Sequence, residues 1–313
     1  LVHAIETVII EWTHQIRDVL KKDSAQFVLN GQFPNPFVEL EFWKAKAQNL
    51  ECIYDQLRDP KVRKMAELLE KTNSSYFPSF KNLFRDVVSA LTEAQDINLH
   101  LMPVRFHLED YEQAEFDECE KLFAPLMHVV CLIWAHSEYY NTPGRIVVLL
   151  QEICNMVIEM ARGYLEPTEI FKGEVEETIE KVRKAQKILK AFKQTYEDHR
   201  VKIKDYFKEK EAKEWEFAPQ LVFHRFDKFL ERVETVMELF ETSMEFLKLE
   251  KIEFGGIKGK VLSAQTVQIF EEFNELYKVF AEFSGDPLDP LDTDFLPQYE
   301  KFKASIADLD RRL

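Results

Sequence analysis

Residues 174–210 contain no glycine or proline, while Val175, Ile179, Val182, Leu189, Phe192, Tyr196, Ile203 and Tyr206 recur at steps of three, four and seven amid dense mixed charge. That spacing puts one apolar stripe on a helix of about 35 residues, roughly 50 Å long. Such a helix must bury its stripe against neighbours, because propensity alone holds it only marginally. The same texture fills the chain. Eight glycines and twelve prolines in 313 residues are too few for the turns of a sandwich or barrel, so the sequence reads as all-α. With 46% hydrophobic residues it can bury a sizeable core, which excludes disorder throughout. Its 41 basic residues against 56 acidic ones give a net charge of −15, which argues against a nucleic-acid partner.

Along the chain, Ile5, Val8, Ile9, Trp12, Ile16, Val19 and Leu20 mark a first helix, closed by Asn30-Gly31, Pro34 and Pro36. Leu40, Trp43, Ala47, Leu50, Tyr54 and Leu57 repeat in alternating steps of three and four, the period of a helix seam packed at a shallow angle. Asp59-Pro60 starts a short helix to about Lys71. Phe80, Phe84, Val87, Leu91 and Ala94 share one face of the next, and Pro103 predicts a break or kink. Residues 109–140 read as helical, with Pro125 either a kink or the first position of a second piece. After the turn Asn141-Thr142-Pro143-Gly144, residues 145–161 form an apolar helix, with Gly163 suited to a left-handed cap.

Beyond residue 210, a helix from Pro219 shows two stripes, one through Val222, Phe226, Phe229, Val233, Val236 and Phe240 and one through Phe223, Leu230, Met237 and Met244. Two stripes require two neighbours. A third long helix carries Val267, Phe270, Phe273, Tyr277 and Phe280, and the loop at 285–290 leads to a last helix ending at Leu313. The expected architecture is elongated tandem helical bundles: six shorter helices in residues 1–168, a linker at 169–173, and four long antiparallel helices in 174–313. No fixed period marks a repeat array.

The cysteines Cys52, Cys119, Cys131 and Cys154 lie in helical patterns without CxxC spacing, which reads as reduced intracellular thiols. The apolar run 126–135, interrupted by His128, is about half of a bilayer span, so no membrane helix is expected. Leu1 already sits in an amphipathic pattern with no signal-peptide regions, as expected for a piece of a longer protein.

The search for chemistry yields weak signals. Gly255-Gly256-Ile257-Lys258-Gly259-Lys260 resembles a phosphate loop, but Val261 follows the lysine where a Ser or Thr would hold magnesium, so an ordinary helix-to-helix turn is expected. Glu11 and His14 form the one Glu-x-x-His pair, and a di-iron bundle needs two. A histidine at a partly buried seam is the expectation. His128, Cys131 and His136 fit no zinc spacing and read as core. Asp286, Asp289, Asp292 and Asp294 lack the glycine and terminal glutamate of a calcium loop and read as a solvated loop. There is no DDxxD and no nucleophile elbow. The cations Lys181, Arg183, Lys184, Lys187, Lys190 and Lys193 read as a solvated helix face, with an acidic surface as the sharper alternative. The aromatic series in residues 217–283 reads as core rather than a cofactor box. No catalytic, cofactor or metal residue is assigned.

A resemblance adds what spacing does not. VELEFWKAKAQNLECIYDQLRDPKVRKMAELLEKTNSSYFPSFKNLF (38–84), TEAQDINLHLMPV (92–104), NTPGRIVVLLQEICNMVIE (141–159), FKGEVEETIEKV (171–182), KLEKIEFGGIKG (248–259) and ADLDRRL (307–313) resemble the N-terminal tail region of dynein heavy chains, most closely the axonemal, outer-arm β type. The resemblance implies a non-catalytic tail segment of successive helical bundles. The ATP- and magnesium-binding motor, stalk and microtubule-binding tip would lie outside it, leaving no cofactor here. It implies partners in other dynein heavy chains, intermediate and light chains and, through the assembled tail, the doublet microtubule. It implies the axoneme of a cilium or flagellum, with assembly in the cytoplasm, and neither nucleic acid nor membrane as a partner. No short motif fixes tail contacts, so no contact residue is carried over. A partner-covered acidic and aromatic surface is expected on the first bundle. The alternatives are a helical-rod scaffold of another cytoskeletal or tethering complex and, third, an all-α enzyme.

Overall fold

Local chemistry starts two of the helices. Asn35 Oδ1 accepts from the Val38 N–H at 3.3 Å and Asp59 Oδ1 from the Lys61 N–H at 2.8 Å, each followed by a proline at the first helical position. These caps satisfy donors that a helix start leaves without partners. The computed structural model describes residues 1–209 and 211–313, with Phe27 and Leu29 described by backbone alone. Among the described residues there are no strands. The elements are α1 (Val2–Lys21), α2 (Gln26–Leu29), α3 (Pro36–Leu57), α4 (Pro60–Lys71), α5 (Phe77–Gln113), α6 (Phe123–His136), α7 (Pro143–Leu165), α8 (Val175–Val201), α9 (Pro219–Leu247), α10 (Gly256–Ala281) and α11 (Phe295–Arg312), with short 3-10 turns before α6, after α8 and after α9.

The residues group into two compact units, 1–114 with 121–156 and 197–218, and 115–120 with 157–196 and 219–313. The stretch 169–173, expected as a linker, lies inside the second unit.

In the first unit α5 is the spine. Leu83, Val87, Leu91, Ala94, Ile97, Leu101, Val104 and Leu108 are all buried at steps of three and four, each apolar side chain larger than alanine contributing about 1.5–3 kcal/mol by leaving water. It packs antiparallel to α3, with Tyr54 stacked on Phe84 near one end and Arg105 paired with Glu41 near the other. Between them the Asn98 amide donates to the Trp43 carbonyl at 2.9 Å. Ile9 and Ile16 of α1 join Leu57, Leu69, Phe80, Leu83 and Val87 in one cluster. Lys46 Nζ donates to the Lys22 carbonyl at 2.7 Å, closing the end of α1. α6 is apolar on nearly every side and correspondingly buried.

In the second unit α8 and α9 are antiparallel. Lys193 pairs with Asp227 and Lys190 with Glu234, while Tyr196 meets Phe223 edge to face. On the other stripe of α9, Phe246 stacks on Phe273 of α10, and Tyr299 of α11 donates to Glu238. α10 and α11 are antiparallel, joined by Phe280 with Phe302 and by Arg312 with Glu272.

Several boundaries differ from expectation. The helix expected over 174–210 ends at Val201, and Lys210 lies outside the described residues. The chain turns off because Ile203 and Trp215 are buried in the first unit, where Trp134 Nε1 donates to the Lys213 carbonyl at 2.9 Å. α5 is not broken at Pro103 but continues through it. Both Pro103 and Leu99, whose carbonyl loses its helical donor, face solvent, so water can replace that bond. Residues 109–140 are broken at Ala114, and Pro125 takes the third position of α6. Gly163 is helical within α7, and the left-handed residue is Glu166, at φ 49°. On α10 the buried face runs through Thr266, Ile269, Phe273 and Phe280, leaving Val267 exposed.

Candidate interaction surface

The weak signals of the sequence resolve into structural roles. Gly255 precedes α10, Gly256 has φ 83°, and a Cβ on Gly259 would lie 2.7 Å from the Phe254 carbonyl. The glycines are thus explained by a tight chain reversal. Glu11 and His14 are both exposed, not at a seam, because the buried stripe of α1 runs through Ile9 and Ile16 on the opposite side. Of the trio expected in the core, only Cys131 is buried. His136 faces solvent, and exposed His128 shares a 2.7 Å hydrogen bond with the Tyr206 hydroxyl. Burial pushes the thiols of Cys119 and Cys131 up to about 12, so neither is a ready nucleophile. All four cysteines are free thiols.

The aspartate loop is solvent-facing yet internally bonded: Asp294 is exposed and Asp286, Asp289 and Asp292 are half-buried. Asp286 pairs with Arg162, and Asp286, Asp289 and Asp292 each accept backbone N–H bonds from residues just ahead. Arg232, 4% exposed, lies over the Phe295 ring at 5.3 Å, held by the charges of Asp292, Asp289 and Asp286. The basic run of α8 is largely spent on the unit's own acids: Lys181 with Glu166, Arg183 with Glu180, Lys184 with Asp117, Lys190 with Glu234 and Lys193 with Asp227. Lys187 is exposed. The aromatic series is mainly core, as its spacing predicts, with Phe254 exposed. Phe171, from the expected linker, inserts among Phe240, Phe280, Phe295 and Tyr277.

One polar cluster was not visible in the sequence. Glu39 Oε1 accepts from Tyr140 Oη at 2.7 Å, Trp43 Nε1 at 2.9 Å and Ser24 Oγ at 3.1 Å. Its carboxyl meets that of Glu152, and both residues are at most 3% exposed. Burial, then the charge of Glu39, pushes Glu152 well above the usual carboxyl range. Glu39 Oε2 and Glu152 Oε2 otherwise have no partner. A proton kept on Glu152 would face the Glu39 carboxyl, and the burial of both residues closes the pair to solvent. The only sequence signal is a carboxylate on the apolar inner face of each helix. Beside it, Arg145 makes a bidentate pair with Asp23 at 2.6 and 2.7 Å and lies over the Tyr139 ring.

Three surface hollows stand out. One of about 610 Å³ lies between α10 and α11, lined by Glu271, Glu272, Glu275 and Asp308. One of about 470 Å³ borders His136, Asn141 and Lys213. One of about 310 Å³ is an apolar groove walled by α4 and α5. Further along α5, Leu99, Met102 and Phe106 face solvent, with Glu109 and Asp110 one turn beyond. No helix is long and apolar enough to cross a membrane, and no cluster of three or more His, Cys, Asp or Glu is placed to hold a metal, both among the described residues.

Fold and surfaces together define an all-α chain in which several ion pairs and aromatic contacts join neighbouring helices. Residues 2–313 match the family of the dynein heavy chain, N-terminal region 1, and the chain belongs to that family. It is 59% identical over its whole length to "Dynein beta chain, ciliary" of Heliocidaris crassispina, 50% to "Dynein axonemal heavy chain 17" of Homo sapiens and 36% to "Dynein beta chain, flagellar outer arm" of Chlamydomonas reinhardtii. It spans 7% of the length of each.

Proposed function

We propose that this chain is a non-catalytic tail segment of an axonemal dynein heavy chain, acting in the cilium or flagellum. It serves assembly of the arm, by association with other heavy chains and with intermediate and light chains, and it passes force between the motor and the doublet. The observation that carries the reading is the full-length match to heavy chains with ciliary and flagellar names. The physical reading agrees with it. α5 alone is about 55 Å long and buries a continuous stripe, so it resists bending better than linked loops. The motor ATPase belongs to the far longer remainder of such a heavy chain, and the protein enters the axoneme after assembly in the cytoplasm.

The test is recovery of the chain's partners from ciliary extract at moderate salt, with mass spectrometry of what remains bound. Dynein heavy, intermediate or light chains are expected. A folded, helical chain that retains none of them would overturn an assembly role for these residues.

A further inference from the structure

The groove between α4 and α5 has a composition unlike the rest of the surface. Its floor is apolar, from Leu57, Val62, Phe80 and Phe84, and the Phe84 ring is 37% exposed. Its rim carries Arg58, Arg63 and Lys81, with no carboxylate among the described residues that line it. On α8 cations are matched by acids nearby, yet none of these three forms an ion pair among the described residues; Arg58 lies over the Tyr54 ring at 5.2 Å. In a chain of net charge −15, three exposed cations without ion pairs beside partly exposed aromatic surface make a local positive patch that an anionic, apolar-faced partner complements.

We propose that this groove binds an acidic amphipathic helix of a second polypeptide, seating two or three apolar side chains at helical spacing on the Phe84 floor and its carboxylates against Arg58, Arg63 and Lys81. A volume of about 310 Å³ is at the small end of ligand sites and suits a few side-chain anchors. The walls are helices and no strand edge is present among the described residues, so the fitting mode is a helix laid in a groove. A second copy of this chain would bring −15 against −15, which disfavours self-pairing. The chain's own acidic helix α9 already buries its stripes. The inference deepens the assembly reading and rests on it for the identity of the partner, while the charge preference of the groove is independent of that identity.

The test measures fluorescence anisotropy of two stapled, labelled helices on this chain. They share leucines at i, i+3 and i+7 and differ only in glutamate or lysine flanks; stapling removes the cost of helix formation. The glutamate helix is expected to bind at least tenfold more tightly, Arg63→Glu with Lys81→Glu to reverse that preference, and Phe84→Ala to weaken both helices. Equal binding, preference for the lysine helix, no binding, or indifference to the charge reversal would each overturn the proposal. In the assembled arm, zero-length carbodiimide coupling is expected to join Lys81 to an Asp or Glu of another polypeptide. A link to a second copy or to the same heavy chain, or none, overturns the choice of partner. Absence of the chain from any arm instead refutes the assembly reading, and the anisotropy result still decides the groove.

Discussion

Tyr140 Oη donates to Glu39 Oε1 at 2.7 Å, joining residues 101 positions apart inside the first unit. Tyr140 is 1% exposed and Glu39 3%, so neither group can fall back on water. Tyr140→Phe removes the donor and leaves the carboxylate short of one bond. The expected cost is about 1–3 kcal/mol, read as a lower urea midpoint with an unchanged slope. A loss no greater than that of Tyr76→Phe, on the surface, would show that the bond is worth nothing.

The pair beneath it gives stability a pH dependence of known sign. Glu152 is held well above the ordinary carboxyl value, first by burial and then by the charge of Glu39. Its contribution is therefore fully present below the unfolded carboxyl pKa and is lost as pH rises toward the folded one. Asp23 has the opposite sign. The Arg145 hydrogen bond holds it below the usual range, so its contribution is present above the unfolded pKa and lost as pH falls through the folded one. Thermal unfolding from pH 3 to 9 should show both limbs. Glu152→Gln, which keeps the shape and supplies a permanent donor to Glu39, should flatten the alkaline limb alone; a Gln variant as alkali-sensitive as the parent refutes the proton kept on Glu152.

Phe171 tests whether residues 169–173 are linker or core. Four rings lie with centroids 5.4–6.5 Å from it, and it is 5% exposed. Phe171→Ala should cost about 3–5 kcal/mol and loosen α9, α10 and α11 together in hydrogen exchange. Exchange confined to residues 166–174 would mean that the ring is dispensable.

Two glycines should respond in opposite directions to the same substitution. Gly163 is helical, and a methyl group on its Cα would have nothing within 4 Å, so Gly163→Ala should stabilise by about 0.5–1 kcal/mol. Gly259→Ala would press a Cβ to 2.7 Å from the Phe254 backbone and should destabilise the start of α10. The two melting temperatures, measured side by side, settle it, and a rise in both would show that the reversal at 254–259 can relax.

The sequence determined by itself that this chain is helical, because periodicity and the scarcity of glycine and proline are local properties. The stripe of α9 and the helix start at Asp59-Pro60 could be read directly, since a helix face and its first turn depend only on near neighbours, while the cap at Asn35 emerged only from the structure. The residues of its resemblance to dynein heavy chains were legible for the same reason. Only the tertiary structure decided where α8 stops, because Val201 ends the helix in favour of burying Ile203 and Trp215 some way off. It also decided that Pro103 is tolerated, which turns on which side of α5 meets water. The Glu39–Glu152 pair and the groove at Phe84 bring together side chains from separate helices, and no spacing within one helix encodes which face a distant helix will cover.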